Sequence, residues 1–218
     1  MDAGAEAGRR WTDAVTVLGG DRRVAQASGG ELARRYAESH RRYHTGEHVV
    51  AVLGDSCWLA SRTGLAAADL PVLTLAVCAH DVVYQAQPGA DERASAGWAR
   101  EQLLSAGVAE GIARRVCCLV TDTLQHAPAS GDPAAAALLD ADLAILGTDR
   151  DGYDRYVSSV RAEFSAVAEP DWRVGRSRVL SGLAERRPLY LTVPGRHRWE
   201  SAARRNLARE LAGLAPTS

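Results

Sequence analysis

The chain has 218 residues, of which 46% are hydrophobic and 24% charged, a composition typical of globular proteins rather than of disordered or fibrous chains. Its net charge is −1, and all 26 basic residues are arginine, so no charge excess favours nucleic acid or an anionic membrane as a partner. The sequence contains no run of about 18 apolar residues and no N-terminal signal core, so we expect neither a membrane span nor secretion, and we predict a cytoplasmic protein.

Apolar residues recur at three- and four-residue spacing along most of the chain, which predicts an all-α fold in one domain over 1–218. Asp91 and Asp132 are predicted N-caps, and Pro133 suits a first helical position. The segment 189–193 fits a short strand or a loop. The predicted helices cover 30–39, 46–62, 69–83, 91–105, 108–126, 134–146, 151–167, 171–186 and 197–213.

Four cysteines lie in apolar stretches, at Cys57, Cys78, Cys117 and Cys118. Their spacing does not form a C-x-x-C pair, which argues against a zinc site or a disulfide framework. We therefore expect small buried residues of a reducing compartment.

Two of the six histidines, His44 and His48, are four residues apart at the predicted start of a helix. Residues at this spacing lie on one helix face, so both side chains are expected to point at the same place. A metal site and an ordinary structural or solvated pair both fit this pattern.

A second polar group ends the apolar helix predicted at 69–83. His80 follows core positions on the same stripe, so it fits either a satisfied core residue or a metal ligand. Asp81 points more strongly to a site, because a buried carboxylate is costly without a partner such as a cation.

A third group, Asp140 and Asp142, lies in the predicted helix 134–146. Two residues on a helix are about 200° apart, so the two carboxylates are not expected to face one site. Asp142 shares its face with leucines and is predicted to be the one that enters the core, while Asp140 is predicted to be structural. Pairing of Asp142 with an arginine remains the alternative to metal binding.

In chain order these groups form an H…HD…D series, and this series resembles the HD superfamily of metal-dependent phosphohydrolases. More narrowly, the chain is similar to bacterial HD proteins that carry four motifs, and the similar segments extend to the C-terminus. Here the motifs are Arg41–Val49, His80–Tyr84, DERASA at 91–96 and Asp140–Gly147.

The resemblance implies an all-helical HD domain, with a metal-binding core at about 30–147 and a helical extension at about 148–218. It implies that His48, His80, Asp81 and Asp142 bind a divalent metal ion, for which Mn, Fe, Co, Ni, Zn and Mg are candidates. The implied reaction is hydrolysis of a phosphate ester, a nucleotide or a small phosphomonoester, by metal-activated water. The expected partner is this small molecule.

The resemblance also suggests catalytic roles for three residues. The Y-H-x-x-x-H spacing also occurs in cyclic nucleotide phosphodiesterases, and there the first histidine protonates the leaving oxygen, which suggests His44 as general acid. Asp81 is expected to accept a proton from water while it binds the metal. Glu92 is a candidate catalytic acid, although acids are common in a first helical turn.

Three further residues are candidates for substrate binding. Arg41 is placed to hold a phosphate, with a structural role as the alternative. Tyr84 is expected to form a pocket wall. His126 is a candidate for a metal or substrate contact, or a solvated histidine at a helix end.

Two other functions fit the same ligands. An HD fold can hold an iron pair that activates O₂, which requires additional histidine ligands, and His126 is the candidate for one. The domain also fits a regulatory module that binds a nucleotide or metal without turnover.

Overall fold

The computed structural model of the chain describes residues 2–124 and 131–215, and within these ranges it contains helices and no strand. The predicted all-α fold is confirmed. Turns of 3₁₀ helix lie at Ala67–Asp69 and Leu143–Gly147, and a π-helical turn lies at Arg196–Glu200. The α-helices are α1 (Ala3–Val17), α2 (Arg22–Tyr36), α3 (Gly46–Thr63), α4 (Leu70–Ala79), α5 (Ala90–Ser105), α6 (Glu110–Asp122), α7 (Pro133–Asp142), α8 (Arg150–Glu163), α9 (Glu169–Glu185), α10 (Val193–Gly195) and α11 (Ser201–Leu214).

The N-cap of α7 is confirmed and the predicted N-cap of α5 is wrong. Asp132 accepts hydrogen bonds from the first N–H groups of α7, and Pro133 occupies the first helical position. In α5 the N-cap is Gly89, and Asp91 lies inside the first turn. The Asp91 carboxylate instead accepts from the backbone N–H groups of Gln85 and Gln87, so it fixes the loop that leads into the helix.

The first helix was not predicted, and only the second half of α2 was. The faces that these two helices bury consist largely of small residues. Gly8 and Gly29 lie where the helices cross, and a Cβ on either one would overlap the backbone of the other. Close backbone approach, with Trp11 and Leu32 fully buried beside it, therefore holds this pair together.

Two helix boundaries decide how the histidines are presented. α3 begins at Gly46, so His44 lies in the preceding bend rather than on the same helix as His48. α4 ends at Ala79, so His80 and Asp81 lie in the turn that follows. The expectation that His44 and His48 share one helix face is therefore wrong.

The segment 189–193 contains no strand, because its backbone N–H groups bind carboxylates instead of a neighbouring strand. Glu200 accepts from Leu189 and Tyr190, and Asp140 accepts from Leu191 and Thr192. These bonds tie the start of the C-terminal region to the end of α7.

The C-terminal helices pack closely on the region that carries the predicted ligands. Asn206 of α11 donates hydrogen bonds to the carbonyls of Leu146, at 2.9 Å, and Thr148, at 3.0 Å. The rings of Trp58 in α3 and Trp199 in the π-helical turn lie 5.6 Å apart. The C-terminal region is therefore in direct contact with the core of the predicted domain.

Among the described residues no helix combines the length and the apolar character that a membrane span requires. The prediction of four buried cysteines is wrong in part. Cys78 is buried, Cys117 is half-buried, and Cys57 and Cys118 are exposed. All four thiols are free.

Candidate metal centre

Three residues that are far apart in sequence bring ligand atoms together at the centre of the molecule. His48 comes from the first turns of α3, His80 follows the last residue of α4, and Asp142 is the last residue of α7. One ligand atom from each lies within 4.8 Å of the other two, an arrangement that could hold a metal ion. Both histidines are buried, and the Asp142 side chain is 16% exposed.

Asp81 lies beside both imidazoles. Its Oδ2 is 3.1 Å from His80 Nε2 and 3.5 Å from His48 Nε2, and Asp142 Oδ1 is 3.3 Å from His48 Nε2. Ligands about 2.1 Å from one metal ion are separated from each other by roughly 3 to 3.5 Å. The spacing of these atoms therefore fits a single cation, and two imidazoles with carboxylates suit a divalent transition metal.

The backbone fixes the orientation of His80. Its Nδ1 lies 2.8 Å from the carbonyl oxygen of Val77, one turn earlier in α4. A histidine that donates one ring N–H to a carbonyl presents its other nitrogen as a lone pair, which is the usual outer support of a metal-binding histidine. Nε2 is the atom that points to His48 and Asp81.

The four side chains stabilise one another electrostatically. Burial alone would lower the pKa of His80, but the carboxylates of Asp81 and Asp142 outweigh it and raise that pKa well above its usual value. The pKa of His48 is raised in the same way against the effect of burial. Burial would raise the pKa of Asp81, yet His80 and His48 hold it well below the usual range. The Asp81 carboxylate is therefore stabilised as the anion beside two imidazoles whose pKa values are raised.

His44 lies next to this cluster and is held by Glu163, the last residue of α8. Its Nδ1 is 2.7 Å from Glu163 Oε2, and its ring stacks on Tyr84 at 4.2 Å between centroids. Tyr84 donates its hydroxyl to the same carboxylate oxygen at 2.9 Å. The second oxygen of Glu163 accepts from the backbone N–H groups of Arg42, Tyr43 and His44.

Glu163 was missed from sequence. Its side chain is 1% exposed. Burial alone would raise its pKa, but the hydrogen bonds from His44 and the backbone lower it to about 2. Nothing in the sequence marks it, because it is 119 positions from His44 and lies in a helix rich in charged residues.

The structure contradicts the predicted phosphate contact of Arg41. Its side chain is fully buried, and its guanidinium donates to the carbonyls of His44, at 2.9 Å, Asp81, at 2.8 Å, and Val82, at 3.1 Å. Together with a bond from Nε to Glu38 Oε2 at 3.3 Å, these contacts occupy four of its five N–H donors inside the protein, and the buried side chain is not placed to reach a substrate. It joins the segment that carries His44 to the segment that carries Asp81, which is a structural role.

The prediction that Asp142, not Asp140, enters the core is also wrong. Asp140 is the more buried of the two, with 1% of the residue exposed. Its oxygens accept from the backbone N–H of Leu191 and from the N–H and hydroxyl of Thr192 at 2.6–2.8 Å. The structural role predicted for Asp140 agrees with these bonds, and Asp142 reaches the metal cluster from a half-buried position.

Two further candidates stay predictions. Glu92 accepts a hydrogen bond from the backbone N–H of Gly89 at 2.6 Å, which forms the capping box of α5. This bond explains an acid at Glu92 without a catalytic role. His126 lies outside the described residues.

Two cavities border the cluster. The smaller, of about 210 Å³, is lined by His44, His80, Asp81 and Tyr84, and the substrate contact expected of Tyr84 stays a prediction. The larger, of about 490 Å³, is lined by His48 and by residues of α3, α8 and the π-helical turn. Asp142 lines both.

Comparisons of the chain with protein-family profiles, with curated proteins and with solved structures found no match.

Proposed function

We propose that this protein is a metal-dependent phosphohydrolase of the HD superfamily that hydrolyses a phosphate ester. The observation that carries the proposal is the convergence of His48, His80 and Asp142 on one point. Asp81 lies 3.5 Å or less from both imidazoles and is the fourth ligand in this proposal. The H…HD…D order of the sequence supports the same ligand set.

The donor set fits a divalent cation, because it combines two imidazoles, which can release their protons, with two carboxylates. When bound, such a cation activates water at neutral pH and polarises the phosphoryl group. Asp81, beside both histidines, is the proposed acceptor of the proton that the water loses.

His44 is the proposed proton donor to the leaving oxygen. Glu163 holds its Nδ1, so Nε2 is the nitrogen that can give up a proton to the substrate. Stacking on Tyr84 fixes the plane of the ring in the wall of the smaller cavity. The phosphorus–oxygen bond to the leaving alcohol breaks, a bond to the water oxygen forms, and the proton from His44 neutralises the alkoxide.

The test is a panel of phosphate esters assayed with added Mn²⁺, Fe²⁺, Co²⁺, Ni²⁺, Zn²⁺ or Mg²⁺, with metal content measured in parallel. We expect turnover that a chelator abolishes and metal restores. A chelator should also lower the melting temperature, and a cation present at 100 times its Kd should restore about 2.7 kcal/mol of stability. Full turnover in chelator, after confirmed metal removal, would contradict the proposal.

His44→Ala and His48→Ala separate the two histidines. His48→Ala should lose metal and all hydrolysis. His44→Ala should keep metal and lose roughly 10²–10⁴-fold in rate on an alkyl ester, whose leaving oxygen needs a proton. The loss should be much smaller on a nitrophenyl ester. Loss of metal from His44→Ala would make His44 a ligand instead.

The two alternative functions are outcomes of the same experiments. Two irons per chain with a visible absorption band would favour an oxygenase. Tight nucleotide binding without release of phosphate would favour a regulatory module.

A further inference from the structure

The larger cavity has the size expected of a small-molecule site, and the smaller one does not. Ligand cavities usually measure roughly 300–1,000 Å³. The larger cavity measures about 490 Å³ and the smaller about 210 Å³, and each reaches two or more residues of the metal cluster. A phosphate at the cluster, with its leaving oxygen beside His44 in the smaller cavity, could extend the rest of its organic part past Asp142 into the larger cavity.

Much of the larger cavity is formed by the C-terminal region. Arg155 and Tyr156 of α8 form one part of its wall, and Arg198 and Trp199 of the π-helical turn form another. Trp199 is fixed against the end of the 3₁₀ turn, because a Cβ added at Gly147 would overlap it. π-helical turns occur frequently at functional sites. The region after 147 therefore forms part of the cavity wall and also packs on the rest of the protein.

The arginines of this wall differ in how their charge is compensated. Arg198 lies 3.5 Å from Asp55 and over the rings of Trp58 and Trp199, so its guanidinium is held and partly neutralised. Arg155 is exposed and makes no hydrogen bond or ion pair with any residue in 2–124 or 131–215. Its positive charge remains available at the edge of the cavity.

Two other charged residues lie at the same edge. The Arg42 guanidinium donates to the carbonyls of Ser39 and Arg41, so it is anchored but keeps its charge. Glu47 is exposed and opposes the two arginines with a single negative charge. The lining of the cavity contains three arginines and three carboxylates. With Asp55 paired to Arg198 and Asp142 in the ligand cluster, Arg42 and Arg155 face the single carboxylate of Glu47.

We propose that the larger cavity binds the organic part of the substrate, and that Arg155 is a specificity-determining residue for a second anionic group on that part. The inference rests on the proposed function for the position of the reacting phosphate. A guanidinium forms paired hydrogen bonds with a carboxylate or a phosphate, and either group would satisfy Arg155. A phosphate ester without a second charge would leave Arg155 without its ligand.

Three aryl esters with similar leaving groups test this preference: phenyl phosphate, 4-carboxyphenyl phosphate and 1,4-phenylene bisphosphate. We expect kcat/KM to be about tenfold higher for at least one of the two charged esters than for phenyl phosphate, which corresponds to about 1.4 kcal/mol. Which charged ester is favoured tells whether a carboxylate or a phosphate is the preferred group. Arg155→Ala should abolish this ratio, and Arg155→Lys should retain part of it.

Arg178→Ala is the matched control, because Arg178 is an exposed arginine of α9 that does not line the cavity. Its ratio of kcat/KM between the charged esters and phenyl phosphate should equal that of the wild type. The double variant Arg42→Ala/Arg155→Ala covers the case in which Arg42 replaces Arg155. The assignment would be overturned if both the single and the double variant kept the wild-type ratio of kcat/KM between the charged esters and phenyl phosphate. It would also be overturned if the wild type hydrolysed all three esters equally well.

Binding of the non-hydrolysable phosphonates gives a readout that does not depend on turnover. Phenylphosphonate, 4-carboxyphenylphosphonate and 1,4-phenylenebisphosphonate are titrated into Mn²⁺-loaded protein in a calorimeter. We expect the same tenfold ratio in Kd, lost in Arg155→Ala. Discrimination among phosphonates without hydrolysis of any ester would overturn the proposed function and leave the cavity assignment standing. Equal hydrolysis of all the esters, with equal binding of the phosphonates, would support the proposed function and overturn the cavity assignment.

Discussion

Two of the clusters of buried charge in the described part of the chain are built differently. In the metal centre, carboxylates face imidazoles, whose positive charge depends on a proton. Between α9 and α11, Glu210 faces the guanidinium of Arg176, which is always charged, at 2.8 Å. Arg176 also donates to the Tyr156 hydroxyl at 3.2 Å.

The difference shows why burial alone does not identify a site. An arginine occupies its carboxylate permanently, so the Arg176–Glu210 pair offers no ligand atom to a cation. An imidazole can give up its proton and bind a metal with the same nitrogen. The metal centre can therefore exchange protons for a divalent ion, whereas the Arg176–Glu210 pair can only hold helices together.

The largest expected effect is a loss of hydrolysis when a ligand of the candidate metal centre is removed. Asp142→Ala should lose bound metal while its helical circular dichroism spectrum survives. Hydrolysis should fall by more than about 10³-fold, because the cation supplies several kcal/mol of transition-state stabilisation. Metal content and turnover are measured on the same sample. Stoichiometric metal in this variant would show that Asp142 is not a ligand.

The second effect concerns the Arg176–Glu210 pair, where the cost should appear in stability. Arg176→Met leaves the Glu210 carboxylate buried without its cation, and breaking a buried pair costs about 3–5 kcal/mol. Urea unfolding measures this loss, and metal content should not change. The double variant Arg176→Met/Glu210→Leu should recover most of it, since no buried charge remains. Loss of metal from Arg176→Met would contradict the proposal that the Arg176–Glu210 pair stabilises the fold without affecting metal binding.

The third effect concerns Asp140, two residues from a proposed ligand. Asp140→Asn places an NH₂ group against backbone donors of the segment 191–192 and should cost about 1–3 kcal/mol of stability. Bound metal should stay at the wild-type level, because the Asp140 oxygens bind Leu191 and Thr192. If this variant lost metal while keeping its stability, the division between Asp140 and Asp142 would be wrong.

The smallest effect is a pH dependence of the metal-free protein. The raised pKa values of His48 and His80 contribute stability that is fully present below the unfolded value of about 6.5 and is lost as pH rises through the folded pKa. The lowered pKa of Asp81 contributes stability above about pH 3.9 that is lost as pH falls.

Chelated protein should therefore become less stable as pH rises above about 6.5, as measured by urea unfolding at several pH values. Asp81→Asn should reduce this dependence, because it removes one of the charges that hold the imidazoles protonated. Arg176→Met should retain it, because a guanidinium does not titrate in this range. A wild type whose stability is constant across this range would contradict the electrostatic account of the centre.

The sequence by itself determined the helical fold and most helix positions, because apolar periodicity reports which face of a helix is buried. The resemblance of the H…HD…D series to known motifs indicated the residues that meet in the cluster, whereas each group taken alone fitted a structural role as well. The helix α1 was not predicted, although its apolar residues follow a helical period.

Tertiary structure alone decided which polar residue does what. Helix phase failed for His44, for Asp81 and for the choice between Asp140 and Asp142, because these residues lie before, beyond or near the end of a regular helix. Glu163 reaches His44 across 119 positions, and no local pattern encodes that contact. The physical reason is that periodicity describes the burial of one helix, whereas hydrogen-bond partners depend on which chain ends meet when helices pack.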